Sequence, residues 1–263
     1  MPELPEVNTV RNNFHLTVLH LNIIEVAVHD DVILRNSSPK QFKQTLDGRR
    51  FVDTYRQGKY FFGILDNGIH ILFHLGMTGD LIYYFTRDDQ PKYERFRIQF
   101  SDGMILGYND PRKFSNILVI QNLPIYLQEI KLGPDALVIS QEEFEAMFAN
   151  RKTSLKALLM NQQLIAGIGN LYADEICYQA KIHPASSAGA LSRRHLNVLY
   201  KLMREILQEA CDREAYYQIY PDNWFWKWRS DDTKVLKGKG SVGKMKIAGR
   251  TTYFVEGYQK LIV

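Results

Sequence analysis

Pro2 follows Met1 directly, so removal of the methionine leaves a secondary amine at the start of the chain. An α-amino group titrates near pH 8, about two units below lysine, and an appreciable fraction is therefore an uncharged nucleophile at neutral pH. Secondary amines attack aldehydic or acetal carbons and give iminium ions. Glu3 sets a carboxyl group beside that centre, suited to protonating a leaving or ring oxygen. Alone, the two residues decide nothing, because many chains begin Met-Pro for no catalytic purpose.

The elements that must position such groups are legible in outline. Val7, Val10, Phe14 and Val18 recur near the helical period behind Pro5, which predicts an opening helix. Residues 22–120 read as short β-rich runs broken by "DNG", "SDG" and "NDP" turns, a pattern that implies a sandwich or barrel. Beyond "IKLGPDAL" the strand signal stops, and Ser140 with Glu143 forms a capping-box pattern that opens a helix. Further helices are expected over "SLKALLMNQQLIA", "LYADEICYQAKI" and "SRRHLNVLYKLMREILQEACD". The "GIGN" turn, residues 167–170, joins the first two of these. Its amides and the positive end of the second helix make a cradle for phosphate, with Asn170 as an added donor. The last stretch, "KMKIAGRTTYFVEGYQKLIV", reads as a β-hairpin turning at Gly249-Arg250.

With 33 Lys and Arg against 29 Asp and Glu, 45% hydrophobic and 24% charged residues, the 263-residue chain is excluded from the disordered, collagenous and disulfide-rich classes. No apolar run approaches the roughly 18 to 20 residues needed to cross a bilayer, and the acidic N-terminus is unlike a signal peptide, so a cytoplasmic protein is expected. Residues 227–263 hold nine basic residues and three acidic ones, a balance that suggests a polyanionic partner. Cys177 and Cys211 lack the paired spacing of disulfide frameworks or zinc sites and read as core thiols.

Five strings occur in order along the chain: "PELPEV" at 2–7, "QGKYFF" at 57–62, "HLGMTG" at 74–79, "YNDPRKFS" at 108–115 and "LKALLMNQQLIAGIGNLYADEI" at 155–176. Together they resemble the formamidopyrimidine-DNA glycosylase and endonuclease VIII family. The resemblance implies a bifunctional base-excision enzyme that removes an oxidised base and nicks the abasic strand. It further implies that Pro2 attacks C1′ to form a Schiff base, Glu3 protonates the sugar ring oxygen, and Lys59 touches phosphate and assists strand cleavage. On its own context, Lys59 equally suits a solvated strand position. Met77, Arg112 and Phe114 match the residues that fill the space left by a flipped nucleotide, and a thioether, a planar cation and an aromatic wedge suit that task. Either apolar residue alone would read as core. The resemblance also places Asn170 and Lys156 on the DNA backbone, with Arg151 and Lys152 adding charge. Arg250 matches a hairpin arginine that binds phosphates beside the flipped nucleotide. His74 fits a phosphate contact, although a lone histidine after a strand is more often structural.

Three departures from the family matter. Many relatives carry a zinc finger with two Cys-x-x-Cys pairs, whereas here Val255, Tyr258 and the Gly240–Gly243 stretch stand at those positions. The hairpin is therefore expected to be zincless, packed through Ile247, Tyr253, Phe254 and Tyr258, and no cofactor is expected. Tyr93 stands where many relatives have a histidine, and the stretch "REAYYQIYPDNWFWKWRSDD" looks short for a base-capping loop, its aromatics suiting either base stacking or core packing.

The expected architecture is α+β: a β-sandwich catalytic domain over 1–134, a helix-two-turn-helix domain over 135–226 and a zincless hairpin over 227–263. The expected partner is damaged double-stranded DNA, bound by a monomer. The Met77, Arg112 and Phe114 pattern favours oxidised purines. An oxidised-pyrimidine enzyme of the endonuclease VIII type and a non-catalytic binder of damaged DNA remain as alternatives.

Overall fold

The structure is a computed structural model that describes residues 1–229, 235–236 and 238–263. Asp231, Asp232, Lys234 and Lys237, counted in the basic C-terminal segment, lie outside the described residues. Contacts divide the chain into two compact units, one of Met1–Pro2 with Glu6–Lys131 and one of Glu3–Pro5 with Leu132–Val263.

The first unit begins with helix α1 (Leu4–Val18), whose Val7, Phe14 and Val18 are buried at the spacing the sequence shows. Strand β1 (Ile23–Val28) and helix α2 (Pro39–Leu46) follow, α2 opening on a Ser38/Gln41 capping box. Seven further strands complete the unit: β2 (Phe51–Gln57), β3 (Tyr60–Leu65), β4 (His70–His74), β5 (Asp80–Tyr84), β6 (Glu94–Phe100), β7 (Ile105–Asn109) and β8 (Asn116–Ile120). Helix α3 (Leu123–Glu129) ends it. The strands form two antiparallel four-stranded sheets, β1-β6-β7-β5 and β2-β3-β4-β8. Alternating inward residues of both sheets meet in one aromatic core: Phe73 lies 6.4 Å from Tyr108 across the layers, and Phe14 of α1 packs edge-on against Phe51 and Phe61 at 4.9 and 5.0 Å.

The second unit contains α4 (Gln141–Ala146), α5 (Leu155–Leu159), α6 (Asn170–Gln179) and α7 (Arg193–Asp212). Ser140 and Glu143 form the capping box that their spacing announces. Leu196, Leu199, Met203, Ile206 and Ala210 bury one stripe of α7. Helix α5 is shorter than its apolar pattern predicts. It stops at Leu159 because Asn161 turns the chain, its side-chain oxygen accepting the Gln163 N–H, while the Gln162 amide bonds the Met160 and Ile168 carbonyls instead of continuing the helix.

Short strand β9 (Val235–Leu236) pairs with β10 (Gly240–Ile247), which forms a hairpin with β11 (Arg250–Val255). The turn residues are Ala248 and Gly249, one place earlier than expected, so Arg250 opens the returning strand opposite Ile247. Hairpin residues Val242 and Val255 pack with Tyr178, Phe225 and Leu236, and partly buried Trp228, Tyr253 and Tyr258 complete that cluster. Phe254 instead packs edge-on against His183 at 4.3 Å. Both cysteines are buried as core thiols.

Candidate active site and nucleic-acid interface

In the first unit, two loops carry the exposed wedge candidates. Met77 is 43% and Phe114 49% exposed, so neither is a core side chain. The Arg112 guanidinium stacks over the Phe114 ring at 4.6 Å. Asp110 ties the loops together from a fully buried position: its carboxylate accepts the Thr78 hydroxyl at 2.6 Å and the Arg112 and Ser115 N–H groups at 3.2 and 3.0 Å. Burial works against its charge, but these bonds outweigh that and hold the carboxyl below the usual range. The Ser115 hydroxyl donates to the Leu75 carbonyl, and Arg95 donates to the carbonyl of Asp110. Gly76 lets the loops approach so closely: its φ is +58°, and a Cβ there would lie 2.4 Å from the Phe114 carbonyl oxygen.

Lys59 occupies the tight turn between β2 and β3 behind Gly58 and is only 8% exposed. His74 ends β4 with its ring 4.9 Å from that of Tyr60 and its Nδ1 buried with no side-chain hydrogen-bond partner among the described residues. Burial, then the nearby Lys59 charge, lowers its pKa. Tyr93 is exposed just before β6, and its carbonyl accepts the Asp110 N–H at 3.0 Å. Pro2 is half-buried.

In the second unit, Glu3 is the best-determined functional candidate. Its side chain is buried, and both carboxylate oxygens accept backbone N–H groups at the start of α6: Gly169 at 2.7 Å, Leu171 at 2.8 Å and Tyr172 at 3.3 Å. The positive end of a helix thus holds a carboxylate of the same chain. This corrects the reading of the "GIGN" turn as an open phosphate cradle, since three amides at and just beyond it are already engaged by Glu3. Gly169 is required there by space, because a Cβ would stand 2.3 Å from the Glu3 carboxyl carbon.

Lys156 is also placed otherwise than expected. It is fully buried, with Nζ 2.6 Å from Asp174 and donating to the Thr252 hydroxyl at 2.8 Å, so it presents no ammonium to a ligand. Asn170 donates from its side chain to the Thr251 carbonyl at 3.1 Å. Arg250, next to that residue, is exposed at the hairpin turn, and Arg151 and Lys152 are exposed before α5. In the described part of the stretch compared with a capping loop, residues 213–229, Tyr220, Trp224 and Phe225 are buried and Tyr216 is exposed, and Glu175 accepts the Phe225 and Trp226 N–H groups at 2.8 and 3.0 Å. Burial pushes the Glu175 carboxyl up to about 7. Sequence pattern does not single out Asp110, Asp174, Glu175 or Arg229. Asp110 sits inside a turn signal, and the partners of the other three are distant in the chain. Among the described residues no cluster of three or more His, Cys, Asp or Glu side chains forms a metal-binding group.

Residues 1–117 match the family model of the formamidopyrimidine-DNA glycosylase N-terminal domain, and residues 132–218 match that of its H2TH domain. Curated relatives named formamidopyrimidine-DNA glycosylase include one from Arabidopsis thaliana, 32% identical over 99% of this chain and 71% of its own length. Another, from Mycoplasma mobile, is 30% identical over 99% and 100%. Among solved structures, Lactococcus lactis formamidopyrimidine-DNA glycosylase bound to DNA containing an abasic site superposes with a TM-score of 0.89 at 25% identity, covering 98% of this chain and 99% of that one. The same enzyme bound to DNA containing a formamidopyrimidine lesion gives 0.88 at 26% identity, covering 98% and 100%. Fold and matches define a class in which an N-terminal β-sheet domain is followed by an H2TH domain. The chain belongs to the formamidopyrimidine-DNA glycosylase family.

Proposed function

We propose that this chain is a bifunctional DNA glycosylase and abasic-site lyase of base excision repair, acting on damaged duplex DNA as a monomer. The observation that carries the reading is Glu3: adjacent in sequence to the secondary amine the chain can expose, it is buried with its carboxylate fixed by three N–H groups at the start of α6. Once Met1 is removed, the Pro2 nitrogen attacks C1′ and the C1′–N bond to the base breaks, the departing base taking a proton from water. The proton released from the amine passes through Glu3 to the sugar ring oxygen, the C1′–O4′ bond breaks as the nitrogen lone pair forms C1′=N, and an iminium ion, the Schiff base of a secondary amine, remains. Loss of a C2′ proton to water then lets elimination expel the phosphate on the 3′ side, and loss of a C4′ proton in a second step expels that on the 5′ side. Lys59 and His74 serve the phosphates of the reacting strand, Met77, Arg112 and Phe114 fill the space of the flipped nucleotide, and Arg250, Asn170, Arg151 and Lys152 hold the backbone. Lys156 acts through Asp174 and Thr252 and not by direct contact.

Oxidised purines are the proposed substrates, supported by the exposed Met77, Arg112 and Phe114 group and by the L. lactis relative's complex with formamidopyrimidine-containing DNA. The described helices include none long and apolar enough to cross a membrane. The proposed location is cytoplasmic, at the nucleoid in a bacterial host. Single-turnover excision from duplexes carrying 8-oxoguanine, a formamidopyrimidine or thymine glycol tests the preference: faster release of the two purine lesions is expected, and faster release of thymine glycol contradicts it.

A further inference from the structure

The hairpin that presents Arg250 is anchored to the helical core by one buried acidic residue. Asp174, on the second turn of α6, is fully buried and meets three separate segments: Lys156 of α5 at 2.6 Å, the Arg229 Nε at 2.8 Å, and the backbone N–H of Tyr253 on β11 at 3.3 Å. The same cluster reaches the two preceding hairpin residues. Lys156 donates to the Thr252 hydroxyl, and Asn170 donates to the Thr251 carbonyl while its own carbonyl accepts the Arg229 guanidinium at 3.1 Å. Three consecutive residues, 251–253, are therefore tied down immediately after Arg250, whose own side chain stays exposed. The Ala248-Gly249 turn is tight, with φ of +47° and +72°, so the course of β11 fixes where Arg250 stands.

We propose that Asp174 is the positioning residue of the DNA-gripping hairpin: by holding Lys156, Arg229 and the Tyr253 amide in one buried ionic cluster, it sets the place from which Arg250 meets phosphate. This rests on the DNA-binding role proposed for Arg250. The logic of the cluster is that of a buried ion pair retained for geometry, in which removing one partner leaves charges without compensation.

The test uses the full chain with Asp174→Asn, Thr252→Val, Arg250→Ala and the two doubles that combine each of the first two with Arg250→Ala. Thr252→Val keeps the Asp174–Lys156 pair and the Asp174–Tyr253 amide bond and removes the Lys156–Thr252 hydroxyl link to the hairpin, so it remains informative if Asp174→Asn folds poorly. Affinity for an abasic-site duplex is expected to fall about tenfold in Asp174→Asn and by a few-fold in Thr252→Val, with no further loss when either is added to Arg250→Ala. Amide hydrogen exchange of the free protein is expected to quicken at residues 250–255 and to stay unchanged in α7. Losses that persist in the Arg250→Ala background, or exchange that does not change at 250–255, overturn the proposal. If the unsubstituted protein fails to bind the abasic-site duplex, the functional reading fails instead, and the exchange pattern alone then decides whether Asp174 anchors the hairpin.

Discussion

At the scale of single residues, exposure separates function from packing. Met77 and Phe114 are apolar, yet neither is buried, and Arg112 sits over the Phe114 ring without drawing it into the core. Their alanine variants are expected to change unfolding free energy by no more than about 0.5 kcal/mol, as surface substitutions do. Excision from lesion duplexes is expected to fall about tenfold or more, because the cost of unstacking the flipped nucleotide is no longer offset. Denaturant melts paired with single-turnover rates check this, and a stability loss of several kcal/mol would return both residues to the core. Sequence identifies these positions through their strings but leaves their surroundings open. Lys156 shows the opposite limit: its type and place suggest a phosphate contact, while its actual partners, Asp174 and Thr252, lie on other elements and are invisible to local pattern.

At the scale of elements, α6 organises the second unit. Its N-terminal amides hold Glu3, its second turn holds the hairpin through Asp174, and the next residue, Glu175, holds the aromatic stretch through the Phe225 and Trp226 amides. Gly169 has a backbone φ of −126°, which any residue can adopt, so Gly169→Ala acts only through the clash of its Cβ with the Glu3 carboxyl group. Displacing that carboxylate is expected to slow base excision by about a hundredfold. A rate within about threefold of the unsubstituted protein would show that the anchored position of Glu3 is dispensable.

Glu175 gives a pH signature. Its carboxyl titrates near 7 in the folded chain and at 4.5 ordinarily, because burial disfavours the charge. A group whose pKa is raised by folding contributes stability below its unfolded pKa and loses it as pH rises through the folded value. Between pH 4.5 and 8 the unsubstituted protein is therefore expected to lose about 3 kcal/mol relative to Glu175→Gln, which cannot ionise. Parallel stability curves for the two proteins would contradict this.

The helices and strands themselves are largely readable in the sequence. The α1 stripe, the Ser140 cap and the α7 stripe are local signals and appear where the pattern puts them. The end of α5 is not readable, because apolar residues continue past Leu159 whereas Asn161 and Gln162 use their side chains to turn the backbone. The start of α6 looks free for phosphate in the sequence, since nothing near it reveals that Glu3, far away along the chain, takes the Gly169 amide of the "GIGN" turn and the Leu171 and Tyr172 amides just beyond it.

At the scale of the whole molecule, the ordered motifs run from residue 2 to residue 176, and the matches to solved relatives cover 98% of the chain. The family is therefore legible in the order of those motifs, whereas the membership of Glu3–Pro5 in the second compact unit is not. That membership underlies the central claim, that the chain's first amine works beside a carboxylate already fixed by a helix terminus. Borohydride trapping on an abasic-site duplex tests it most directly, using two preparations whose N-termini are defined by mass spectrometry: one beginning at Pro2 and one retaining Met1. A covalent complex is predicted with the first and none with the second, in which the Pro2 nitrogen is an amide. Equal trapping by both, or DNA binding without trapping by the Pro2-terminated protein, would contradict the claim.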